Sequence, residues 1–141
     1  MNDQNKEVKT IDMQRAEHAY GKVDGLKRDG SYGKYVSYVK GLPATILQNG
    51  LGQAMATLLA ASKGKPDAHR YLYDHVEEWL CNANSYSPYY KQNKQVSNGD
   101  LLMKKITEGD ENAYIYAQAE ALAYLVWLKK FAVAYLEEKE D

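Results

Sequence analysis

Residues 110–138, DENAYIYAQAEALAYLVWLKKFAVAYLEE, limit what this chain can fold into more than any other segment. Helical spacing runs through the whole stretch, and Asp110 and Glu111 stand where the positive end of a helix dipole would lie. At 1.5 Å per residue such a helix is about 40 Å long. One stripe holds Tyr114, Ala121, Leu125, Leu128, Ala132 and Tyr135, a second holds Ile115, Ala119, Leu122, Val126 and Val133, and a third holds Tyr124, Trp127 and Phe131. A helix that is apolar on nearly every side must be surrounded. It is expected at the centre of a bundle or partly against another subunit, with Trp127 as a core anchor whose truncation costs about 3 to 5 kcal/mol.

The rest of the chain keeps the same period, and no segment sustains the two-residue alternation of a half-buried strand. A first helix is expected over residues 10–27, with Met13, Ala16, Tyr20 and Val23 inward and Arg15, His18 and Lys22 on a different face. A second, over 31–40, turns Tyr32, Val36 and Val39 inward and carries Lys34 and Tyr38 on another side. Gly41 is expected to end it. Pro43 then opens a third helix over 43–62, because a first helical turn tolerates the missing donor of proline. A fourth covers 67–81, with Tyr71, Leu72, Val76, Trp79 and Leu80 buried. The Asn, Ser, Pro and Tyr content of 82–99 marks a long polar loop, and a short helix over 100–107 follows. The expected fold class is therefore all-α: a single compact bundle of about five to six helices over 10–138, built around a long central C-terminal helix. Residues 1–9 are expected to be flexible, and 139–141 form an acidic tail end.

At 141 residues, one domain can bury a sufficient core without disulfides or metals. The single cysteine, Cys81, excludes an intrachain disulfide and suits a reducing compartment. The first residues have no apolar signal core, and the longest apolar run, residues 121–128, is too short to span a bilayer. A cytoplasmic location is expected, with no membrane partner. Thirteen tyrosines against one phenylalanine supply rings with polar tips, suited to core edges and to contact surfaces. Charge is segregated: residues 15–105 carry 13 Lys/Arg against 8 Asp/Glu, whereas 106–141 carry 3 against 8. That polarity can steer a polyanion to one side or bring like subunits together head to tail.

Nothing in the sequence organises a reaction. His18, His69 and His75 are scattered, and the cluster of Asp74, His75, Glu77 and Glu78 lacks the spacing of a zinc or di-metal site. Cys81 has no cysteine partner and reads as a small buried hydrophobe. No nucleophile elbow, phosphate loop or glycine triplet is present. The expectation is no enzyme, no cofactor, no metal and no small-molecule substrate. The third segment is more unusual, because Thr45, Asn49, Gln53 and Thr57 recur every four residues as an uncharged polar stripe with Gly50 and Gly52 in its middle. Glycines there imply close approach of another backbone or a ligand, either by tight packing inside the monomer or at an external contact. Thr45, Asn49 and Gln53 are accordingly candidates for a subunit interface.

Three runs carry a family resemblance: RAEHAYGKV near the start, YVSYVKGLPATILQNGLGQAMATLLA in the middle, and AEALAYLVWLKKFAVAYL at the end. Their specific parts are Leu42, Pro43, Ile46, Asn49, Gly50, Leu51 and Gly52, and the run Trp127 to Ala132. Together they resemble the small subunit of Cmr-type, or type III-B, CRISPR effector complexes, in the same order and over roughly half of the chain. The resemblance implies a non-catalytic helical subunit, present in several copies inside a complex built on a guide RNA, that lines the path of the target strand and stabilises the assembly in antiviral defence. Its implied partners are other Cmr subunits, further copies of itself, and guide or target RNA held through phosphates. The cations placed to serve that role are Arg15, Lys22, Lys34, Lys40, Lys129 and Lys130, which could neutralise phosphates without reading bases. Lys129 and Lys130 stand out because they interrupt an otherwise apolar helix. The alternative is a helical scaffold that contacts only protein, with no direct RNA contact.

Overall fold

The computed structural model describes residues 8–91 and 101–139. Among them are six α-helices and no strand: α1 (Ile11–Asp29), α2 (Tyr35–Asn49), α3 (Leu51–Ser62), α4 (Ala68–Glu78), α5 (Leu101–Glu108) and α6 (Glu111–Tyr135). They form a helical bundle in which α6 packs along α1 and α2 while α3 and α4 pair behind α2.

Three helices begin where a short polar side chain can take an orphan backbone donor. Thr10 accepts from Met13 N–H, Asp67 from Arg70 N–H and Asp110 from Ala113 N–H. Ends are equally local. Gly30 closes α1 in the left-handed region at φ 83°, where its missing Cβ removes the steric cost. Helix α4 continues into one π turn, Trp79–Ala83, that buries Trp79, Leu80 and Cys81.

The expected boundary near Gly41 and Pro43 is not there. Helix α2 runs through both, because Tyr35, Val36, Val39, Leu42 and Ile46 make one continuous buried face across the proline. Burying that face offsets an interior proline, which costs about 3 kcal/mol. The break comes instead at Gly50, with φ 87° and ψ 157°. Leu51 N–H and Gly52 N–H then start α3 without a local cap. Both are taken by side chains of α6, at 2.8 Å by Gln118 Oε1 and at 2.9 Å by the Tyr114 hydroxyl. A Cβ on Gly50 would stand 2.9 Å from that hydroxyl, so the unusual glycines mark close packing inside the monomer.

The orientation of α1 also differs from expectation. Ala19, Val23 and Leu26 are its buried residues, while Met13 and Tyr20 are about half exposed. Arg15, His18 and Lys22 face inward because carboxylates and a phenol on other helices await them. The core itself is rich in tyrosine for the same reason. Tyr35, Tyr73 and Tyr124 are buried, and their hydroxyls pair with His75 Nδ1 at 2.7 Å, Glu77 Oε2 at 2.9 Å and His18 Nδ1 at 2.7 Å. Two of the three histidines and one acid of the former metal candidate are thus hydrogen-bond partners of core phenols.

The first two residues of the expected polar loop, 82–83, belong instead to the π turn, and of the residues that follow, Asn84, Ser87 and Tyr89 are buried, with Asn84 Oδ1 accepting from Tyr86 N–H. The remainder of that loop, the segment 1–7 and the last two residues lie outside the described residues. Helix α6 stops at Tyr135, three residues short of expectation. Leu136 turns extended and buried, and Glu137 N–H donates to the Tyr32 hydroxyl, which ties the end of the chain to the α1–α2 turn.

Candidate functional site

The six candidate cations do not form one patch. Arg15 makes a two-pronged pair with Glu120 of α6, at 2.6 and 2.9 Å, and a third bond to Asp12 at 3.1 Å. Glu120 also accepts from Trp79 Nε1 at 2.9 Å, so one carboxylate joins α1, α6 and the π turn. The Arg15 side chain is only 17% exposed, and its hydrogen bonds to Glu120 raise its pKa. Lys22 pairs with Glu78 of α4, which His18 Nε2 also meets at 2.9 Å. Those hydrogen bonds hold the Glu78 carboxyl well down, at about 2. Lys40 pairs with Glu138 beyond the end of α6. Three of the candidates therefore have carboxylate partners from elsewhere in the chain.

The other three stand differently. Lys34 immediately precedes α2 as its N-cap residue and is partly buried, whereas Lys129 and Lys130 are exposed on α6. None of the three makes an ion pair among the described residues. Of the interface candidates, Thr45 lies in α2 and returns its hydroxyl to Gly41 O, Asn49 is the exposed last residue of α2, and Gln53 is exposed on α3. The break at Gly50 therefore divides that polar stripe between two helices.

Groups that could serve chemistry are occupied in the fold. Burial lowers His75 to about 3 and pushes the Cys81 thiol up to about 12, so neither offers a ready base or thiolate near neutral pH. Glu77, also raised by burial, accepts from Leu102 N–H at 2.8 Å and caps the start of α5. Among the described residues no group of three or more His, Cys, Asp or Glu could hold a metal ion, and no helix is long and apolar enough to cross a membrane.

Helix α6 is packed along the first and third of its stripes and bare along the second. Ala117, Ala121, Tyr124, Leu125, Leu128 and Ala132 are buried, but Ile115, Tyr116, Val126 and Val133 are 51 to 69% exposed. Beside that face lies an aromatic ladder that joins Trp127 and Phe131, expected on one stripe, to Tyr135, expected on another. Trp127 stacks on Phe131 at 5.7 Å and Phe131 on Tyr135 at 6.2 Å, with Tyr20 of α1 edge-on to the last two. Its signal was the spacing of four between Trp127, Phe131 and Tyr135. Trp127 is partly buried on the rim, donating to Asp12 at 3.0 Å, and the fully buried tryptophan is Trp79. It is not the deep core anchor expected from helical spacing, since Val126 next to it marks the solvent side.

Comparison with known proteins gives the same fold and one family. An X-ray structure of a CRISPR-associated Cmr5 family protein from Thermus thermophilus matches with a TM-score of 0.71 and 28% identity, covering 92% of this chain and all of that one. The family model described as CRISPR-associated protein (Cas_Cmr5) matches residues 11–135, nearly the whole described bundle. The chain belongs to the CRISPR-associated Cmr5 family, as its resemblance to Cmr-type small subunits implied.

Proposed function

We propose that this chain is a non-catalytic subunit of a type III-B ribonucleoprotein that docks on neighbouring subunits, lines the target RNA along the guide and stabilises the complex in cytoplasmic antiviral defence. The observation that carries this reading is the bare apolar face of α6. A central helix that leaves Ile115, Tyr116, Val126 and Val133 in water has a face suited to another protein, and membership of the Cmr5 family supplies the class of partner. The RNA part is supported by Lys129 and Lys130, exposed beside that face without carboxylate partners among the described residues. Phosphate contact from such lysines is blind to sequence, as a protein serving arbitrary guides requires. The absence of a catalytic role is supported by the engagement of His18 and His75 with tyrosines and by the raised pKa of Cys81.

A protein-only scaffold is the second reading, favoured by the ion pairs that occupy Arg15, Lys22 and Lys40. Reconstitution with the other Cmr subunits separates the two. Wild-type chain should enter the complex, and Val126→Glu should be excluded from it while keeping its own melting temperature, because exposed substitutions change stability by about 0.5 kcal/mol or less. Target capture that weakens steeply with salt supports RNA contact. Capture that is the same with and without this subunit supports the scaffold.

A further inference from the structure

Beside the turn between α1 and α2 lies a hollow of about 300 Å³ whose walls include Ser31, Tyr32, Tyr38, Asp67 and His69. Three parts of the fold meet there: the turn itself, the first half of α2 and the start of α4. Tyr38 and His69 form one flat wall, with their rings inclined by only 20° and their centroids 4.0 Å apart. The His69 side chain is 25% exposed, and among the described residues no second ring lies against it.

Asp67 stands beside this wall with its side chain 39% exposed. Its Oδ1 caps α4 by accepting from Arg70 N–H at 3.1 Å, and its Oδ2 lies 3.3 Å from His69 Nδ1. A carboxylate has about four acceptor positions, more than these contacts fill. Burial works to raise its pKa, but the hydrogen bonds from Arg70 N–H and His69 outweigh it, so the carboxyl is lowered and ionised. The positive end of α4 offsets about half a charge, which leaves the acid net negative. Two other hollows also hold an aspartate, but there Asp12 pairs with Arg15 and Asp24 with Arg28. Asp67 has no lysine or arginine partner among the described residues, and His69 is a cation only when protonated. An ionised acid beside a flat ring wall repels a phosphate. It suits a guanidinium, which donates in its plane to the carboxylate and lays its face along rings; a compact ammonium would use the charge and little of the wall.

We infer that this hollow is a docking site for an arginine side chain of a neighbouring subunit, with Asp67 pairing its guanidinium and the His69–Tyr38 stack supporting its plane. The inference rests on the proposed subunit role and adds to it a polar contact apart from the apolar face of α6.

The full chain, isotope-labelled, is titrated with N-acetyl-arginine amide and, separately, with N-acetyl-citrulline amide, which has the same shape without the charge. Nuclear magnetic resonance should show saturable shifts at the backbone amides of residues 31–33, 38 and 67–69 with the arginine compound alone, at a dissociation constant on the order of 1 mM. Asp67→Asn keeps the cap, because asparagine serves there as well as aspartate, and should weaken binding about tenfold or more. Equal shifts with citrulline, shifts only at other residues, or unchanged affinity in Asp67→Asn overturns the site. Absence of saturation at roughly ten times that concentration overturns it as well. Should Asp67→Asn fail to fold, the comparison of the two amides decides alone. In competition for reconstituted complex, Asp67→Asn should enter about tenfold less well than wild type. Equal entry shows that no subunit arginine uses the hollow and overturns the docking claim. A wild-type chain that enters no complex refutes subunit membership instead, and the two amides then decide the hollow.

Discussion

Gly50 holds φ 87° and ψ 157°, a region that essentially only glycine adopts, and the Tyr114 hydroxyl fills the space a side chain would need. Gly50→Ala should therefore cost about 1 to 3 kcal/mol in backbone strain, and more if Tyr114 is driven off the start of α3. Chemical denaturation of the two proteins measures it. His75 and Glu78 set a pH dependence whose sign follows from their shifts. His75 is lowered from 6.5 to about 3 by burial, so the unfolded chain takes up a proton the folded chain refuses, and stability falls as pH drops from about 6.5 toward 3. Glu78 is lowered from 4.5 to about 2 by His18 and Lys22, so its contribution is present above 4.5 and lost between there and 2. His75→Gln should flatten the upper window and Glu78→Gln the lower one, read as melting temperature against pH. If His75→Gln leaves the upper slope unchanged, His75 is not what charges there.

Among the elements, α1 and α6 depend on each other through charge as well as packing. Arg15 and Glu120 are mostly buried, and Glu120 also holds the indole of Trp79. Arg15→Ala would leave that carboxylate without its cation, at a cost of roughly 3 kcal/mol, whereas a surface arginine would be worth less than about 1. Replacing Arg15 consequently tests the fold before it tests any RNA contact. Helix α6 itself was legible as a long helix apolar on nearly every side, because its composition and period are local. Which of its stripes stays bare was not legible. Tyr114 and Tyr124 are drawn inward by the donors and the histidine they meet, and Ile115 and Val126 are left outward by the same rotation.

The whole molecule is held by long-range polar bonds laid through an apolar bundle. Lys40 to Glu138 and Tyr32 to Glu137 N–H fasten the end of the chain across the α1–α2 turn. Removing residues 136–141 should expose the buried Leu136 site, lower the melting temperature and speed hydrogen exchange in α1 and α2 first, with α3 and α4 little changed. Uniform acceleration across all helices would show that the strap has no local role. The sequence by itself determined the all-helical class, the helix starts at Thr10, Asp67 and Asp110, the continuous apolar character of α6 and the family, since caps and periods are set by neighbours a few residues away. Tertiary structure decided the passage of α2 through Pro43, the break at Gly50, the inward turn of Arg15 and Lys22, and the aromatic ladder beside the bare face. Those depend on partners far along the chain: Tyr114 is 62 residues from the Gly52 donor it accepts from, and Glu120 is 105 residues from Arg15. A helical period specifies which residues share a face; only the packed neighbours determine which way that face turns.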